Sequence, residues 1–265
     1  MNFIQTIITK RYLIVKYLSR QISRRYRGSI LGVLWSLASP LAMLSVYLFV
    51  FGFIFKSRFN MTKNESATDF GLALFCGLNL FNLCSEVITS SPKLILGQPN
   101  LVKKIVFPLE TLPVVQTLDS LFHCAIAFVP LLVGLMLFHG TIPWTFIFLP
   151  LFLVPLALFS VGFSLGLSAL GVFIRDIEAL VQPLLIILMY GSAVFYPIGA
   201  MPPPFRQIIE LNPLALVIEN ARLSMMLGAV PNLGLMLTLS FVGFIFVMVT
   251  SAFFEKAKPA FADVI

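Results

Sequence analysis

TLPVVQTLDSLFHCAIAFVPLLVGLMLF, residues 111–138, decides the fold class. It holds one formally charged side chain, Asp119. As a helix rising 1.5 Å per residue it is longer than the ~30 Å hydrocarbon core of a bilayer. Five other runs read the same way, at 31–55, 70–91, 145–174, 180–197 and 233–254. The whole chain of 265 residues is 59% hydrophobic and 11% charged, with mean hydropathy +0.99. Such a composition excludes a water-soluble domain. The reading is an all-α integral membrane protein, one transmembrane domain over 1–265. It comprises an interface segment (1–30), a six-helix bundle (31–254) and a short tail (255–265).

The polar residues left between the runs orient the bundle. If the amino-terminal segment is cytoplasmic, 13 of the 18 Lys and Arg residues fall on that side. Lys/Arg bias of this kind sets orientation, so both termini are expected in the cytoplasm. The net charge of +7 is then topology and attraction to anionic membrane lipid, with no nucleic-acid partner implied. No cleavable signal is expected, because the first apolar run begins near residue 31 and is too long for one. Cys76, Cys84 and Cys124 all lie inside spans without metal-ligand spacing, so no metal site is expected.

Residues 4–27 have the pattern of an amphipathic interface helix. Ile14, Val15, Leu18, Ile22 and Tyr26 cluster on one side, and Lys16, Arg20, Arg24 and Arg27 on the other. Leu13 and Tyr17 break the pattern. The stretch 92–108 reads as a cytoplasmic turn with a short helix. Residues 197–232 are apolar but interrupted by Pro202–Pro204, Asn212–Pro213 and Pro231. Two short re-entrant or interfacial helices fit there, with Glu219 and Arg222 placed to pair at i, i+3.

Within the spans, polar residues fall in stripes. Asn79, Asn82, Glu86 and Thr89 share one face of the second span. Gln116, Asp119, Ser120 and His123 share one face of the third. The two helices run in opposite directions, which sets Glu86 and Asp119 at similar depth. A charge in lipid costs several kcal/mol unless it faces protein or water, so both stripes should point inward. Three roles are open: interhelical hydrogen bonding, the polar wall of a transport path, or proton chemistry by Asp119 and His123. Tyr47, Phe51 and Phe55, at i, i+4 and i+8 in the first span, suit either sugar faces or ordinary core and lipid contact. No GxxxxGK[ST], HExxH, CxxC or GxSxG motif occurs, so the energy source is expected on another polypeptide.

Four islands carry a resemblance. They are Arg24-Arg25-Tyr26-Arg27-Gly28-Ser29-Ile30-Leu31-Gly32-Val33-Leu34-Trp35 with Pro40; Lys103-Lys104-Ile105-Val106-Phe107-Pro108; Phe173-Ile174-Arg175-Asp176-Ile177; and Phe195-Tyr196-Pro197 with Pro204-Phe205-Arg206 and Leu211-Asn212-Pro213-Leu214. In order and spacing the chain resembles ABC-2 type polysaccharide exporter permeases, most of all those for lipopolysaccharide O-antigen. The resemblance implies a second copy of the chain, two ATP-binding-cassette subunits that carry ATP and Mg, and no cofactor in this chain. It implies a cargo of undecaprenyl-linked polysaccharide and a bacterial inner (cytoplasmic) membrane setting. A transport subunit rather than an enzyme is implied, with other cargoes (teichoic acid, capsule or drug) or a membrane-embedded transferase on lipid-linked sugars as alternatives. By the same resemblance Arg24, Arg25 and Arg27 sit at the cytoplasmic entrance. Lys103, Lys104, Arg175 and Asp176 are placed toward the ATP-binding subunit. Tyr196, Pro197, Phe205 and Asn212 shape the periplasmic gate. Tyr196 also joins Tyr47, Phe51, Phe55, Asn79, Asn82, Glu86, Asp119 and His123 as candidates for the substrate path.

Overall fold

α4 (Ala67–Ser90) is apolar on every side through its first half, and such a helix has to be enclosed. It is the hub. Every residue from Phe70 to Phe81 is buried, under α3, α6, α7, α8 and α10. The computed structural model describes residues 3–28, 32–55, 59, 66–103 and 107–265.

In chain order, α1 (Phe3–Thr9) and α2 (Arg11–Arg25) precede α3 (Trp35–Tyr47), which continues through a π-helical turn, Leu48–Ile54. After α4 come α5 (Pro99–Lys103), α6 (Thr111–His139), α7 (Leu149–Phe173) and α8 (Ile177–Tyr190). α9 (Pro203–Glu210), α10 (Pro213–Leu227), α11 (Leu233–Ala257) and α12 (Phe261–Val264) complete the described chain. Among the described residues, five segments are long and apolar enough to cross a membrane: Trp35–Ile54, Thr68–Lys93, Thr111–His139, Trp144–Phe173 and Leu233–Val264.

The expected span at 180–197 differs. α8 has 14 residues, about 21 Å at the α-helical rise, and stops at Tyr190. Leu188 O accepts from Ser192 Oγ and Tyr190 O from the Tyr196 hydroxyl, and the non-helical carbonyls that follow are held from elsewhere. Arg222 of α10 donates to Ala193 O at 2.8 Å, Val194 O at 2.9 Å and Tyr196 O at 3.4 Å. The expected helix over 4–27 also divides, at Lys10, into α1 and α2.

Segments expected on one side of the membrane do meet at one end. Phe3, Ile95, Leu109, Val172, Phe254 and Phe261 form a single apolar cluster there. Lys258 pairs with Glu110 at 2.7 Å, and Lys93 pairs with Glu178. The short helix expected in 92–108 is α5, and the two expected in 197–232 are α9 and α10. At the opposite end His139 Nε2 lies 2.8 Å from Asp69 Oδ1, tying the C-terminus of α6 to the N-terminus of α4.

Small residues set the closest helix approaches, as is usual where lipid tails offer no hydrophobic drive between helices. A Cβ on Gly162 of α7 would stand 2.4 Å from the Phe246 ring of α11. Gly171 is tighter in a stiffer place: its Cβ would stand 2.3 Å from Pro92 O and 2.8 Å from Pro92 Cα. Backbone cannot rotate aside as a ring can. We expect Gly171→Ala to cost about 1–3 kcal/mol by overpacking, seen as a lower melting temperature of the detergent-solubilised chain. An unchanged melting temperature would mean that the end of α4 shifts freely.

Candidate functional site

α2 lies across α6, and its packed face is defined by that contact. Ile14 is buried, with Tyr17, Leu18, Gln21 and Tyr26 partly covered, while Val15 is exposed. Tyr17, which breaks the simple amphipathic pattern, belongs to this face and packs against Phe107 at 5.6 Å between ring centres.

The last turns of α2 engage both polar stripes. Gln21 Nε2 donates to Gln116 Oε1 at 2.7 Å and to Asp119 Oδ2 at 3.3 Å. Arg25 Nη1 donates to Glu86 Oε1 at 2.6 Å and lies 4.0 Å from Asp119 Oδ2. The Tyr26 hydroxyl and His123 Nδ1 are 3.0 Å apart. Glu86 and Asp119 are thus at one depth, bridged by a single guanidinium. Asp119 Oδ1 faces His123 Nε2 at 3.6 Å, and neither atom has a hydrogen-bond partner.

Beside this cluster opens a groove of about 460 Å³ between α2, α3, α4 and α6. Of the sequence-predicted path residues, Tyr47, Asn79, Asn82, Glu86 and His123 line it together, and Arg25 stands in the same wall. Asp119 is buried behind that wall. Asn79 Nδ2 donates to Ala127 O at 3.0 Å, so this residue both ties α4 to α6 and faces the groove. Thr89, the last member of its stripe, is exposed.

Three path candidates lie elsewhere. Phe51 packs on Phe70 at 5.6 Å, Phe55 is 67% exposed, and Tyr196 belongs to the far end of the bundle. The entrance arginines also part company. Arg24 lines a separate small depression with Tyr17, Arg20, Gln21 and Gln98, and Arg27 is exposed. Lys103, Arg175 and Asp176 are exposed at the α2 end; Lys104 lies outside the described residues.

At the far end, Asn212 caps α10, accepting from Leu214 N and donating to Gly191 O at 2.9 Å and Ser192 Oγ at 3.0 Å. Pro197 starts the 3₁₀ turn Ile198–Ala200, and Phe205 is exposed. The expected Glu219–Arg222 pair forms at 3.0 Å, with Arg222 fully buried. Burial raises the Glu219 carboxyl above the ordinary carboxylate range, and Arg222 pulls it back down.

Sequence reasoning missed Trp35 in the groove wall, Gln21 as the link from α2 to Gln116 and Asp119, and Arg222 as the organiser of the far end. Gln21 carried a signal: a polar side chain one helical repeat after Ile14, on the packed face.

A family model described as ABC-2 type transporter matches residues 12–226. The chain belongs to the ABC-2 type transporter family. It is 27% identical over 256 residues to the O-antigen export system permease protein RfbA of Klebsiella pneumoniae, covering 96% of this chain and 95% of that protein. To the RfbA of Myxococcus xanthus it is 22% identical over 265 residues, covering 99% and 98%. To the polysialic acid transport protein KpsM of Escherichia coli it is 26% identical over 210 residues, 79% of each chain. The part matched to the ABC-2 type transporter family begins in α2 and ends in α10. It therefore contains both the groove and the Arg222 centre, while α11 and α12 lie beyond it.

Proposed function

We propose that this ABC-2 permease is the transmembrane subunit of an ATP-driven exporter that moves a lipid-linked polysaccharide of O-antigen type from cytoplasm to periplasm. It works as two copies with two separate ATP-binding-cassette subunits, which bind ATP and Mg. It sits in the bacterial inner membrane with both termini cytoplasmic. The observation that carries this reading is the groove: sugar-compatible aromatic and amide side chains on α3, α4 and α6, joined at one end to the interface helix.

The chemistry fits the task. Burying a hydroxyl without a partner costs roughly 2–7 kcal/mol, so a glycan crosses lipid only along groups that replace water. Asn79, Asn82, Tyr47 and His123 are such groups. The exposed Lys103, Arg175 and Asp176 at the α2 end offer a surface for the ATP-binding subunits. Movement of α2 would reach the groove directly through Gln21, Arg25 and Tyr26.

The test is copurification and export. The chain should copurify with an ATP-binding-cassette subunit, and its deletion should remove surface polysaccharide while lipid-linked glycan accumulates inside. Nucleotide hydrolysis by the purified chain alone, or normal export in its absence, would overturn the proposal.

A further inference from the structure

Similarity leaves the charge of the cargo open, because relatives of nearly equal identity are named for O-antigen and for polysialic acid, a polyanion. The groove itself addresses the question. Among the described residues that line it, Arg25 is the one formally cationic side chain. That guanidinium is already engaged by Glu86 at 2.6 Å, with Asp119 behind it at 4.0 Å. Counting Glu86 in the wall and Asp119 buried behind it, two carboxylates stand against one guanidinium, a formal excess of negative charge. The rest of the lining is uncharged: Trp35, Tyr47, Asn79, Asn82 and Ser120 among aliphatic side chains such as Met43 and Leu83. The Ser120 hydroxyl is buried and has no hydrogen-bond partner, and His123 Nε2 is likewise unpaired. A groove of about 460 Å³ falls within the usual range for small-ligand sites, roughly 300–1,000 Å³.

From these observations we infer that the groove selects an uncharged glycan segment and rejects one bearing carboxylates. The inference rests on the proposed polysaccharide path. A carboxylate sugar entering here would meet Glu86, with the charge of Asp119 buried behind it and no spare cation in the wall. With Glu86 a third exposed, that repulsion is felt at short range and is screened by added salt, and like-charge juxtaposition is a common way to exclude a wrong partner. The remaining basic residues of α2 point elsewhere. Arg20 and Arg24 border the separate depression with Tyr17 and Gln98, outside the groove. Anionic groups on a lipid carrier therefore have cations to meet at the mouth, while the sugars that follow pass a wall without free positive charge.

The experiment uses the full chain in lipid nanodiscs and two fluorescent probes of equal length, a neutral hexose oligosaccharide and an oligogalacturonate. At low ionic strength the neutral probe should bind at least about tenfold more tightly than the acidic one, from unit-charge repulsion at short range. Added salt should narrow the gap. In Glu86→Gln/Asp119→Asn the ratio of acidic to neutral affinity should rise about tenfold. The salt series on the unaltered chain stands even if that variant folds poorly. Equal binding of both probes, or preference for the acidic one, overturns the charge selection and leaves the polysaccharide path intact. Binding of neither probe overturns the path, and the selection with it.

Discussion

Arg222→Met should give a chain that still inserts but loses the order of its far end, at a cost of about 3 kcal/mol, the lower part of the range for breaking a buried ion pair. Arg222 has no exposed surface. Its two terminal nitrogens serve three backbone carbonyls and the Glu219 carboxylate, and its guanidinium lies 4.4 Å from the Phe59 ring centre. Methionine fills much of the volume and supplies none of the donors. The carbonyls of Ala193, Val194 and Tyr196 would lose this donor, and Glu219 would be a buried carboxylate without its cation. Ala193 also holds a φ of +53°, a region in which a side chain is uncommon and persists only where its surroundings enforce it. The measurement is thermal stability of the purified chain together with protease access to residues 191–213. Arg222→Met/Glu219→Gln should recover part of the loss, because the orphaned charge is gone. A single variant as stable as the parent would remove Arg222 from its organising place.

That residue also shows where the sequence is and is not legible. Apolar runs located α3, α4, α6, α7 and α11, because burial in lipid or protein leaves a local record of hydropathy. The stripes on α4 and α6 were legible for the same reason: few arrangements tolerate Glu86 and Asp119 inside a membrane protein unless they face a protein partner or water. The early end of α8 was not legible locally. The segment that follows it is held by Arg222, 32 positions after Tyr190, which binds the carbonyls of Ala193 and Val194. Gly77 shares in this, since a Cβ there would stand 3.1 Å from Arg222 Nη2.

The row Tyr47, Phe51, Phe55 forms consecutive ring contacts, 6.4 and 5.9 Å between centres, yet Tyr47 alone of the three lines the groove. Leu48–Ile54 is π-helical, so the angular step per residue departs from the α-helical value. Tyr47 reaches the groove, Phe51 turns onto Phe70, and Phe55 faces out. In α2 the error was one of solvent. The pattern was read against a flat lipid interface, whereas the helix packs on α6. Tyr17 and Gln21 therefore face protein and Val15 does not.

Reversing Arg25 alone should reduce export to below about a tenth of the parent level, whereas Arg24→Glu should leave most of it. The two residues are adjacent in sequence and both look like entrance cations, yet only Arg25 reaches the carboxylates. Its side chain is 45% exposed, so the bare attraction to Glu86 is worth little in stability. The expected effect is on mechanism. Arg25→Glu would set three carboxylates at the junction of α2, α4 and α6, where Gln21 and Tyr26 supply the remaining bonds. Like charges at such distances push apart, and the end of α2 would lift from the groove. Under the proposed function, that severs the path by which motion of the ATP-binding subunits reaches the glycan. The readout is surface polysaccharide in whole cells, normalised to the amount of inserted chain. The exchange Arg25→Glu/Glu86→Arg should return export to a third or more of the parent, since it restores one cation between two anions. Equal loss from Arg24→Glu and Arg25→Glu would show instead that the arginines act through lipid headgroups, where position along the helix matters little and no swap with Glu86 could rescue.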